Sequence, residues 1–164
     1  MNKLYAVLLM FFLPLSLAYA ANPDADFFQQ AAMGGIAEVD AGKLAEHKGG
    51  DAAIKKFGAQ MVKDHTKAND ELKKIAKQQQ VTLPKHPDPE HIAMQKKLAH
   101  LSGKKFDSTY IEGQVTDHKA VIALFEHEAA SGENAKAKAF AVKTLPVLKH
   151  HLSMLEQMSG SAAQ

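Results

Sequence analysis

The chain has 164 residues, a formal net charge of +2 and no cysteine. That length suits one domain with its own core, and the missing cysteines exclude disulfides, thiolate metal sites and cysteine catalysis. All 20 basic residues are lysines, so the bidentate phosphate and guanine recognition that arginine supplies is absent, which argues against a nucleic-acid partner.

Residues 1–20 read as a signal peptide. Lys3 gives a positive start, Leu4 to Leu17 is an apolar run, and Ala18-Tyr19-Ala20 has the small-x-small form of a cleavage site. The run is short for a membrane span and no second one follows, so no integral span is expected once the signal is removed. The sequence thus predicts an exported protein, with the periplasm as its compartment, made of a helical domain over 21–158 and a flexible tail over 159–164.

Within the domain, Asp24 is placed to cap a first helix whose inner face carries Phe27, Phe28, Ala31, Ala32, Gly35, Val39 and Gly42. Glu38 falls inside that face, among glycines that imply either close helix approach or room for something bound. Gly49-Gly50-Asp51 ends this helix and caps the next, which runs to about Gln79 with Ile54, Phe57, Met61, His65, Leu72 and Ile75 inward. Residues 80–89, with three prolines, form a crossover loop. Asp88-Pro89 then opens a short helix, since proline suits the first helical position. A further helix restarts at Phe106-Asp107, with Asp107 as cap, and turns Ile111, Val115, His118, Val121, Ile122 and Phe125 inward. The last helix, from about Ala135 to Met158, turns Phe140, Thr144, Val147, Leu148, His151, Leu155 and Met158 inward, and Pro146 should kink it. No stretch alternates like a strand, so the fold class is all-α: a four-helix bundle with a crossover loop and one short extra helix.

The two halves resemble each other. Glu46-His47 is echoed by Glu126-His127, with Glu38 and His118 each eight residues before; downstream Phe57 is echoed by Phe140, and His65 matches His151 with three extra residues that coincide with Thr144-Leu145-Pro146. Each long helix thus puts one metal-competent side chain on its inner face. Three imidazoles and a carboxylate suit a transition metal such as Zn, Cu or Fe better than Ca or Mg. Asp64 and Asp117, each next to a core histidine, suit a supporting role behind the ligands. A hydrogen-bonded network without metal is the rival reading, and it goes with a non-enzymatic envelope or stress-associated bundle. A di-iron centre is disfavoured because no Glu-x-x-His occurs. Whether the protein is an enzyme, and which protein partner or oligomer it forms, stays open.

Five blocks carry a family resemblance: Gly34 to Ala45 around Glu38-Val39, Met61 to Asn69 around Asp64-His65, Leu101-Ser102-Gly103 with Phe106-Asp107, Val115-x-Asp117-His118, and Thr144-Leu145-Pro146 with His151-Leu152. Over about 27–155 the chain resembles the exported bacterial domain-of-unknown-function family numbered 4142. The resemblance implies a ferritin-like helical bundle in the cell envelope and brings no activity. Members are often labelled outer-membrane proteins; with no alternating barrel strands here, that label reads as location at most.

Overall fold

A computed structural model describes residues 24–162, so the signal-peptide assignment to 1–20 lies outside the described residues. Five helices follow in order: α1 (Ala25–Lys48), α2 (Ala52–Gln78), α3 (Pro89–Ala99), α4 (Gly103–Ser131) and α5 (Ala135–Ala162). No strand occurs among the described residues. α1 packs along α2 and α4 along α5, each pair joined by a short turn, and the two hairpins pack together with α3 against α1 and α4. None of the described helices is long and apolar enough to cross a membrane.

The hairpins repeat one another at a spacing of 83 residues. Gly49 and Gly132 end α1 and α4 in nearly the same backbone conformation. Asp51 and Asn134 then start α2 and α5, each accepting a hydrogen bond from the amide two residues on. Phe57 and Phe140 follow at the same spacing, both buried.

Asp24 and Asp107 belong to this repeat, and here the sequence-based capping assignments fail. Neither carboxylate caps its own helix. Asp107 accepts from the amides of Gly50 and Asp51, at 2.8 and 3.0 Å. Asp24 accepts from those of Glu133 and Asn134. Each hairpin therefore uses an acid near the start of its first helix to hold the turn of the other. Turn amides have no helical acceptor, and a carboxylate is a strong one. A cap and a long-range clamp look alike in one-dimensional sequence.

Close approach explains two glycines. A Cβ on Gly42 would stand 2.9 Å from the Gly58 carbonyl oxygen, and one on Gly58 would stand 2.6 Å from that of Gly42. Gly34, by contrast, faces open space. Other expectations shift by a turn or less. α4 begins at Gly103, not Phe106, with Gly103 at a φ of +58° that suits glycine. α5 continues past Ser159 to Ala162. Val147 faces outward, 39% exposed. Thr144, two residues before Pro146, donates its hydroxyl to the Phe140 carbonyl, 2.8 Å away.

The apolar core is in two parts. One is built on Phe27, Phe28, Leu72, Ile122, Phe125, Phe140 and Leu148. The other is built on Phe57, Met61, Phe106, Tyr110, Ile111 and Leu155. Along every long helix the chain passes from one part to the other through buried polar residues: Glu38 between Ala32 and Ala41, His65 between Met61 and Leu72, Gln114 and His118 between Ile111 and Ile122, and His151 between Leu148 and Leu155. The buried polar layer is thus set between two apolar ones.

Candidate metal centre

His65, His118 and His151 come together in that layer, with one potential ligand nitrogen from each lying within 4.8 Å of the others. All three side chains are buried, His118 and His151 completely. The ring centroids stand 5.4 to 5.9 Å apart. α2, α4 and α5 supply one ring each.

The outward nitrogens fix the tautomers. His118 Nδ1 lies 3.0 Å from the Gln114 carbonyl oxygen, one turn back on α4. A carbonyl only accepts, so Nδ1 carries the proton and Nε2 of the neutral ring is a bare lone pair. His151 Nε2 lies 3.0 Å from Asp64 Oδ2. Donation to that carboxylate leaves His151 Nδ1 as the lone pair. Gln60 donates to the same Asp64 oxygen and steadies it. His118 Nε2, His151 Nδ1 and His65 Nε2 are all buried without a hydrogen-bond partner.

That pattern tests the fit of a metal. Two of the three unpartnered nitrogens are acceptors and cannot bond to each other. His65 Nε2 carries at most one proton, so it can satisfy only one of them. A cation accepts lone pairs from all three. Metal–nitrogen bonds of about 2.0–2.1 Å bring such nitrogens to about 3.3 Å from one another, a small contraction for side chains already gathered here. The residues present therefore fit a transition metal.

Burial sets the protonation. It lowers the pKa of all three imidazoles: His118 to about 4, His65 well below the usual range with help from its two histidine neighbours, and His151 less, because Asp64 opposes the shift. Each ring is thus neutral at pH 7, the form that binds metal.

Glu38 sits beside this group. Its Oε1 lies 3.5 Å from His118 Nδ1, on the face of the ring turned toward Gln114, while its Oε2 has no partner. Burial pushes its pKa up to about 8 despite a hydrogen bond from the Gln114 side chain. Of the other sequence-derived candidates, Asp64 bonds not to its neighbour His65 but across to His151. Asp117 is half-buried, lines a groove rather than the histidine cluster, and has its pKa raised by burial. Four residues escaped the sequence reading. Gln114 and Tyr110 are buried next to Glu38, each with an unpartnered oxygen. Glu128 is buried near Asp24. His91 is half-buried and held by Asp88. All but Tyr110 are polar, and inward-facing apolar periodicity passes over such residues.

A groove of about 780 Å3 leads to the layer from outside, with Glu38 and His65 on its inner wall. The family model that matches this chain, over residues 15–158, is described as a domain of unknown function, DUF4142. The chain belongs to the DUF4142 family. No curated protein and no solved structure matches it.

Proposed function

We propose that this DUF4142 protein is an exported, periplasmic four-helix bundle of ferritin-like form that binds one transition metal ion in its core. His65, His118 and His151 are its ligands, Glu38 flanks the set on the Nδ1 side of His118, and Asp64 supports it through His151, while Asp117 stands on the groove outside. The observation that carries this reading is the buried trio of imidazole nitrogens without partners, two of them held as acceptors by bonds on the far side of their rings. Among these three side chains, at most one of the two acceptor nitrogens could find a donor, the Nε2–H of His65.

Nitrogen-rich ligation favours Zn, Cu or Fe. Such an ion would supply Lewis acidity or redox capacity at a position open to the groove. The chain's own parts are clear in role. Asp64 orients His151, the Gln114 carbonyl orients His118, and the apolar layers on either side exclude bulk water. Glu38 holds a proton on the groove side of His118 at neutral pH, and an adjoining dication would draw that proton off.

Metal analysis of tag-free protein, reconstituted separately with Zn, Cu and Fe, tests the proposal. One ion per chain is expected, falling to background in His65→Ala. Substoichiometric metal that His65→Ala leaves unchanged would sink it and favour the structural network.

A further inference from the structure

The groove is not evenly lined. One side is apolar, with Leu72, Leu124, Phe125 and Phe140. Along the other, among the described residues, four carboxylates besides Glu38 (Asp88, Glu90, Glu112 and Asp117) face a single lysine, Lys97. Asp88 accepts from the Glu90 and His91 amides at the start of α3, and its other oxygen bonds to His91 Nδ1. His91 is thereby oriented with its second nitrogen left over, as carboxylates commonly orient metal-binding histidines.

His91 and Asp117 also border a second, small space of about 20 Å3 between α1, α3 and α4, whose wall includes Glu38, Tyr110 and Gln114. Such a space holds one water or one ion. Glu38 Oε2, Gln114 Oε1 and Tyr110 Oη are all buried and unpartnered there. Glu38 lines both this space and the groove. An acidic approach, an oriented imidazole and an unpartnered buried carboxylate therefore lie in sequence between solvent and the three histidines.

We infer that this acidic side of the groove is the route by which a divalent cation reaches the three-histidine centre, with His91 and Asp117 as an outer holding point and Glu38 as the inner one. The inference rests on the metal reading above and adds the path of loading. Carboxylates along a low-dielectric wall raise the local concentration of cations and speed their capture. The outer position, with one imidazole and one carboxylate, binds loosely and hands the ion on to three nitrogen ligands, which hold it more tightly.

Stopped-flow loading with Co(II) alone, whose visible spectrum reports imidazole ligation, tests the route at low ionic strength. The double variant His91→Ala/Asp117→Asn should load about tenfold more slowly than wild type, with a weaker dependence on salt. Asp117→Glu should recover most of the rate. Both positions are only half-buried, and unchanged helical circular dichroism confirms that the variants fold. A role in holding the structure alone would instead speed Co(II) release without slowing capture, and that result, or an unchanged loading rate, overturns the route. If wild-type protein takes up no Co(II), the metal reading falls and the route with it. If it takes up Co(II) at a rate these variants do not alter, only the route falls.

Discussion

His118 shows how much one backbone contact decides. Its bond to the Gln114 carbonyl fixes the proton on Nδ1 and turns a bare lone pair inward. Asp64 does the same for His151 from a different helix. Asp64→Asn should therefore weaken metal binding by about 10–100-fold while leaving one ion per chain at saturation; calorimetric titration checks this. A pH series on metal-free protein probes the same layer. A histidine whose folded pKa is lowered binds its proton more readily unfolded, so the three histidines cost stability as pH falls below about 6.5 toward the His118 value of about 4. A carboxyl whose folded pKa is raised behaves oppositely. Glu38, raised to about 8, and Glu128, raised to about 7, hold protons in the fold that the unfolded chain has released, so their contribution is lost as pH rises from about 4.5 through those values. Metal-free protein should be most stable between about pH 4.5 and 6.5 in denaturant titrations, and should weaken from 6.5 to 8. Saturating metal should remove the share of that loss that comes from Glu38 and leave the share from Glu128.

At the scale of helices, the reciprocal aspartate clamps tie the two hairpins together. Asp107→Ala leaves the amides of Gly50 and Asp51 without their acceptor. By analogy with the loss of a capping carboxylate, the cost should be about 0.5–2 kcal/mol, measured by urea unfolding. Asp24→Ala should cost about the same through Glu133 and Asn134. The sequence makes these helices legible because apolar periodicity, Gly-Gly-Asp punctuation and the Asp88-Pro89 start are local signals. It hides the clamps because an aspartate at a helix start looks the same whether it bonds three residues away or a hundred. The repeat is similarly half-visible. The scaffold keeps a spacing of 83, whereas Glu38 and His118 are 80 apart and His65 and His151 are 86. The polar residues thus depart from the scaffold register by three residues in opposite directions, close to one helical turn each way.

For the molecule as a whole, a polar layer divides two apolar cores, and an outside groove reaches it. Inward polar residues on four helices signal such a layer in the sequence. Their partners are not so signalled. Asp64 serves the histidine of another helix, and Glu38 meets Tyr110 and Gln114, whose positions follow only from how α1 and α4 pack. Burying three neutral imidazoles with unpaired nitrogens is unfavourable, so an occupant that engages them should stabilise the whole fold. At a free concentration 100 times its Kd, a metal adds about 2.7 kcal/mol, which for a chain of this size is roughly 5–10 °C in Tm. Chelator should reverse that shift.

The most direct test is isothermal titration of tag-free, metal-stripped protein with Zn(II), beside His65→Ala, His118→Ala and His151→Ala. A three-histidine centre predicts one ion per wild-type chain and a loss of at least about 100-fold in affinity in each variant, since removing a ligand should exceed the 10–100-fold cost of removing a supporting group. Zinc binding of equal strength in wild type and all three variants, or none in any of them, would contradict it.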